Sequence, residues 1–155
     1  MAATKPQPLT QADLCAGVAL VAREWDPDAA AERLTLTVPS RSDPTTRHTL
    51  TGHSHGRDAA CDCPGFAYRR RCSHVAAWPV LVEELERRFY ADPAYTTAEL
   101  LSLAEFYAAI PDLLSPEQRL RANGIRAALA DRGVAVRPPR PSAARRAALA
   151  EELYG

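Results

Sequence analysis

The chain has 155 residues, 46% of them apolar and 25% charged, with a formal net charge of zero. That is the composition of an ordinary soluble globular protein, and the length suits one domain with a helical appendage. Zero net charge removes any global pull toward a polyanion, and the length, with no GxxxxGK[ST] loop, leaves no room for a motor. Charge is nevertheless uneven. Residues 33–74 carry seven Arg against three Asp, whereas residues 81–112 carry seven acids against Arg87 and Arg88. Arg137, Arg140, Arg145 and Arg146 follow with no acid among them.

Residues 1–9 read as a flexible tail. No secretion signal is visible, since MAATKPQPLTQAD lacks an apolar stretch and LCAGVALVA, at nine residues, is too short to span a bilayer. A reducing, cytoplasmic setting is the expectation, and structural disulfides are not. Thr10 is placed to cap a helix running to about Glu24, with Leu14, Val18, Val21 and Trp25 on one buried stripe. Cys15 on that helix reads as buried and inert. WDPDAA interrupts the helix, and AAAERL adds a helical turn. From Leu34 the period changes to two, so 33–40 and 46–52 are expected to form a β-hairpin around SRSDPTT. DAACDC is expected to add a third short strand.

Beyond Cys72, Val75, Trp78, Val82, Leu85 and Phe89 step by three and four along an amphipathic helix. Pro79 either kinks it or stands in the first turn of a new helix after a short turn at 73–78. TTAE at 96–99 is a capping box for a helix that ends before Pro111. Ser115, Pro116 and Gln118 open another, which Gly133 stops. Gly124 weakens its middle by about 1 kcal/mol relative to Ala. A stiff Pro-rich linker at 135–141 precedes a last short helix beginning near Ser142. The fold class predicted is α+β: a small three-stranded sheet plus a helix held by one zinc, flanked by an N-terminal helix and C-terminal helices. The zinc module spans 10–92, and 93–155 form a helical C-terminal region.

The zinc prediction rests on CDCPGFAYRRRCSHV at 61–75. Cys61 and Cys63, two apart in extended chain, project toward one face, with Asp62 pointing away. Cys72 and His74 cannot both sit within a helix and face one point, because two residues turn roughly 200°. Cys72 is therefore placed before the helix, with Ser73 near the cap and His74 in the first turn. Pro64-Gly65 turns the chain between the pairs. Three thiolates and an imidazole suit tetrahedral zinc and leave no open position, so the ion is structural. His53 and His55 are read as a solvated turn, and His48 as a surface or edge residue. Arg69, Arg70 and Arg71 either stabilise the thiolates or meet nucleic acid.

The spacing Cys-x-Cys, eight residues, Cys-x-His resembles the SWIM zinc finger. Cys61, Cys63, Cys72 and His74 fall on its ligand positions, CPGF matches its Cys-Pro-x-Phe, and the resemblance covers residues 33–90. It implies a β-hairpin before the first pair, a helix after the second, and DNA binding or protein interaction. SWIM modules occur in bacterial Swi/Snf-type ATPases, Mutator-type plant transposases, recombination-accessory proteins and some signalling kinases.

The function expected is a nucleic-acid-binding accessory protein in DNA transactions. Arg41, Arg47, Arg57, Arg69, Arg70 and Arg71 would meet phosphates, Ser40, Ser42, Thr45 and Thr46 would add hydroxyls, and Tyr68 would stack on an unpaired base. Phe66 is read as cover over the zinc. The alternative is a protein-interaction adaptor that uses the acidic, helical C-terminal half, with Leu100, Leu103, Tyr107 and Ile110 either packed on the zinc helix or offered to a partner. No nucleophile motif argues for an enzyme.

Overall fold

Thr10 opens the first helix, α1 (Gln11–Gly17), by accepting a hydrogen bond from the Asp13 amide while Asp13 accepts one from the Thr10 amide. The structure is a computed structural model and describes residues 7–136 together with Ala143. Residues 1–6 of the expected tail, most of the Pro-rich linker and the last helix, with Arg137, Arg140, Arg145 and Arg146, lie outside the described residues. Leu9 is tied down: its amide donates to the Arg41 carbonyl at 3.1 Å, and Arg41 Nε donates to its carbonyl at 2.7 Å.

The first helix is shorter than expected, because at Val18 the backbone turns extended. Gly17 packs so closely on the end of the sheet that a Cβ there would lie 2.8 Å from the Pro39 ring. From there ALVAREWD forms β1 (Ala19–Asp26), an edge strand, rather than two further turns of helix. The apolar residues of this stretch satisfy either period, and pairing with a neighbouring strand decides between them. Val21 and Trp25 are consequently 62% and 57% exposed instead of buried, and Cys15 is only half-buried. AAAERL does not add a helical turn either. Asp26 accepts the amides of Asp28 and Ala29, Ala30 takes a left-handed φ of 48°, and the chain re-enters as strand at Ala31.

Strands β2 (Ala31–Pro39), β3 (Arg47–His53) and β4 (Ala60–Cys61) follow, and the described sheet is antiparallel in the order β1-β2-β3-β4. It has four strands, not three, because β1 joins it. Leu34, Leu36 and Val38 alternate inward from β2, paired across to Gly52, Leu50 and His48, while Thr35 and Thr37 face the other way. Leu50 is fully buried.

Two short helices follow β4: α2 (Pro64–Arg69) and α3 (Ser73–Ala76). The longer α4 (Trp78–Ala91) starts afresh with Pro79 in its first turn, where a missing amide costs nothing. Of the two readings of Pro79, the new helix is the one observed. Trp78 is buried, and its indole donates to the His53 carbonyl at 3.0 Å.

The chain divides into two compact units, Met1–Leu85 and Glu86–Gly155, with the division inside α4. The second unit holds the end of α4, α5 (Thr97–Ala109), a 3-10 turn at Pro111–Leu113 and α6 (Pro116–Asp131). Capping boxes at Thr96/Glu99 and Ser115/Gln118 start α5 and α6, and Gly133 leaves α6 with φ 73°. Leu100 and Ala104 of α5 bury against Ile125, Ala128 and Leu129 of α6 and Tyr90 of α4, with Leu103 and Tyr107 packed at the margin. Gly124 is where α6 crosses Glu86: a Cβ would come within 2.7 Å of the Glu86 Cβ and 3.0 Å of its carbonyl carbon. Its low helix propensity is thus exchanged for close approach. Arg132 closes the unit by donating to the carbonyls of Tyr95, Tyr90 and Asp92.

His53 ties the first unit together near its loops. Its Nδ1 lies 2.7 Å from Asp58 and its Nε2 2.8 Å from Asp26. With a carboxylate on each nitrogen, both nitrogens act as donors and the imidazolium is favoured. The Asp26 bond, then the Asp58 bond, raises the His53 pKa above its ordinary 6.5, and the His53 bond lowers that of Asp26 below 3.8. The His53 contribution to stability is therefore complete below pH 6.5 and lost as pH rises through the raised value. That of Asp26 is complete above pH 3.8 and lost as pH falls through the lowered one. Denaturant midpoints of the metal-loaded chain are expected to decline as pH climbs above 6.5. His53→Gln should remove that decline, and an unchanged pH profile would contradict the assignment.

Candidate metal centre

Cys61 is positioned by the sheet. It pairs with Leu50 of β3, and Asp62 extends the grip: its amide donates to the Thr49 carbonyl at 3.1 Å and its carboxylate accepts the Thr49 amide at 3.0 Å. Asp62 does point away from the cluster, as the extended geometry requires. Cys63 is the N-cap of α2, followed by Pro64 at the first helical position. The segment between the ligand pairs is thus a six-residue helix rather than a plain turn, and the Pro after Cys63 is the signal that marks it. α2 ends on Arg70, whose left-handed φ of 55° reverses the chain. Cys72 then caps α3, its Sγ accepting from the Val75 amide at 3.4 Å, and His74 stands in the first turn.

These four side chains converge. The ligand atoms of Cys61, Cys63, Cys72 and His74 all lie within 4.8 Å of one another, and His74 Nδ1 is 3.8 Å from Cys61 Sγ. Sulfurs around a tetrahedral zinc stand about 3.8 Å apart, from Zn–S bonds near 2.3 Å. The donor set and spacing are those of a metal site closed by four protein ligands. Among the described residues no second group of this kind is found, and His53 and His55 stand outside it.

The surroundings set the chemistry. Burial pushes the Cys61 thiol up, and the Cys63 amide, 3.5 Å from its sulfur, works in the opposite direction. Burial also pushes the Cys72 thiol up, opposed by the Val75 amide. Cys61 and Cys72 thus resist ionisation, and a divalent cation would reverse that balance by supplying the missing charge. Burial lowers the His74 pKa, and the charges of His48 and Arg41 lower it further, so the ring favours the neutral form that metals bind. The Pro39 carbonyl counts the other way without completing a hydrogen bond to the buried Nε2.

His48 is more than an edge residue. Its ring packs 5.1 Å from that of His74, and its Nδ1 is 3.3 Å from the Asp62 carboxylate. Strand register places it beside the cluster, and the sequence carries no local signal for that contact.

The expected nucleic-acid residues divide into groups. Arg41 is engaged through Nε with Leu9. Arg47 donates through Nη2 to the carbonyls of Gly17 and Thr37 at 2.6 and 3.0 Å, bracing α1 against the sheet. Thr45 and Thr46 give their hydroxyls to Asp43. Arg57, Arg69, Arg70 and Arg71 are exposed or half-exposed and form no ion pair among the described residues. Tyr68 is 88% exposed, and Phe66 is half-buried.

No family model matches this chain, and neither a curated protein nor a solved structure shows significant similarity to it. Among the described residues no helix is long and apolar enough to cross a membrane.

Because Asp62 fastens the first ligand pair to β3 and holds His48 beside His74, it acts on the metal through its neighbours. Asp62→Ala is expected to lower metal affinity by about tenfold or more, as outer partners of metal ligands do. Competition against a chromophoric chelator measures it, and unchanged affinity would remove Asp62 from the centre.

Proposed function

We propose that this chain is a SWIM-type module, held together by one structural zinc ion, that binds nucleic acid as an accessory protein in DNA transactions. The zinc reading is supported by the convergence of three thiols and one imidazole within 4.8 Å. The SWIM reading is supported by the order of parts: hairpin, Cys-x-Cys, short helix, Cys-x-His, helix. When bound, the ion supplies charge that keeps the thiolates ionised and joins β4 to α3. Four protein ligands leave no position for substrate, so the module binds rather than catalyses. Cysteines free of disulfides accord with a cytoplasmic setting.

The observation that carries the nucleic-acid reading is Tyr68. An aromatic ring 88% exposed on α2, directly before three consecutive arginines without ion-pair partners among the described residues, offers a stacking face beside phosphate-binding charge. The adaptor alternative is weakened by the C-terminal half, where Leu100 is buried and Leu103 and Tyr107 are partly buried against their own unit's core. With zero net charge over the whole chain, affinity is expected to be modest and strongly dependent on salt.

Two measurements test this reading. Stripping the metal with a strong chelator is expected to unfold the first unit, since binding in small zinc modules contributes on the order of 10 kcal/mol. Far-UV circular dichroism follows the loss, and a spectrum indifferent to chelation would refute a zinc-held fold. Labelled single- and double-stranded DNA titrated at two salt concentrations tests the ligand. Replacing Arg69, Arg70 and Arg71 by Ala should weaken binding and reduce the slope of log affinity against log salt by up to about three. Absence of binding to either DNA at low salt would remove the nucleic-acid reading. Loss of zinc in the triple variant would assign the arginines to the metal centre instead.

A further inference from the structure

The first unit has an open concavity of about 390 Å³ that the ligand residues Cys63, Cys72 and His74 themselves help to line. Its wall brings together three guanidinium side chains, Arg41, Arg69 and Arg71, and three hydroxyls, Ser40, Ser42 and Ser73. They come from the end of the β2–β3 hairpin on one side and from α2 and the start of α3 on the other. No carboxylate lines it. Arg69 and Arg71 form no ion pair or side-chain hydrogen bond among the described residues, and Arg41 is held in place through Nε by the Leu9 carbonyl, which leaves its terminal amino groups for another acceptor. Ser40 is 5% exposed and lies 3.3 Å from the Ser42 hydroxyl, so this side of the wall is fixed.

Three guanidinium and three hydroxyl side chains around one open concavity suit an anion rich in oxygen. A bound metal at a three-thiolate centre would carry one net negative charge, which offsets one guanidinium and leaves two. A bridging phosphodiester carries a single charge, offers two free oxygens and needs an open path on both sides for the strand. A phosphate monoester carries close to two negative charges at neutral pH and presents three oxygens from a single attachment. Guanidinium forks match such oxygens pairwise. The geometry points to this concavity as a receptor for a phosphate monoester at the end of a nucleic-acid strand, a refinement that rests on the nucleic-acid reading above. Tyr68 completes the arrangement. It lies on α2 three and four residues beyond Gly65 and Pro64, which line the concavity, and is itself exposed outside that lining. A terminal base can stack there while its phosphate enters the pocket.

The test compares one short single-stranded oligonucleotide in three forms: 5′-phosphorylated, 3′-phosphorylated and unphosphorylated. Each is titrated into the zinc-loaded full chain and followed by fluorescence anisotropy. One phosphorylated form is expected to bind about tenfold tighter than the unphosphorylated one, the gain from charge-assisted hydrogen bonds, and which form does so identifies the strand end. Millimolar inorganic phosphate should erase the preference. Replacing both Arg69 and Arg71 by Gln should also erase it with zinc content and circular dichroism intact. Arg57→Gln, outside the concavity, should weaken all three probes alike and keep the preference. Equal binding of the three probes would overturn the pocket and leave the nucleic-acid reading standing, as would a preference that survives the double substitution. Failure of all three to bind would remove both.

Discussion

The first unit depends on bringing two chain segments to one point: the end of a two-residue strand and the opening turn of a four-residue helix. Neither is stable alone. β4 pairs with β3 through Leu50 and Thr51 alone, with Asp62 adding bonds to Thr49, and α3 is too short to persist in water by itself. Each carries one of the four side chains, Cys61 and His74, with Cys63 and Cys72 two residues to one side, so whatever joins those side chains also joins the elements. Without a cation the junction would pack the Cys61 and Cys72 thiols, whose ionisation burial opposes. With one, the same burial strengthens every metal–ligand interaction. The reversal at Arg70 serves this junction, because a non-glycine residue at φ 55° is tolerated only where neighbouring structure enforces it.

Much of this was legible in the residues. The ligand set could be read because the chemistry of three thiols and an imidazole restricts their spacing, and the hairpin because Leu34, Leu36 and Val38 alternate so regularly. The capping boxes at Thr10, Thr96 and Ser115 are local chemistry and need no tertiary knowledge. The N-terminal segment was misread because Leu14, Val18, Val21 and Trp25 fit a helical stripe as well as a strand. What decides is pairing of the following residues with β2, Ala19 opposite Thr37 and Leu20 opposite Leu36, partners far along the chain. The contact between His48 and His74 and the partnership of His53 with Asp26 were hidden for the same reason: each depends on strand register.

Charge shows the same separation between composition and arrangement. Seven arginines in residues 33–74 suggest a uniformly basic face. In the fold, Arg41 and Arg47 spend donors on backbone carbonyls at the edges of α1 and the hairpin, and Arg33 stands opposite Glu24 in the sheet. The arginines that remain without such anchors cluster around α2, within a few residues of the cysteines. A modest count of positive charge is concentrated at one place, and the zero net charge of the chain conceals it.

All four ligand side chains lie between residues 61 and 74, and every strand of the described sheet precedes or overlaps that interval. Closing so short a loop costs little chain entropy. The parts that could grasp an ion therefore all lie in the half of the chain that is synthesised first. Assembly of the first unit can begin before synthesis of the second is finished.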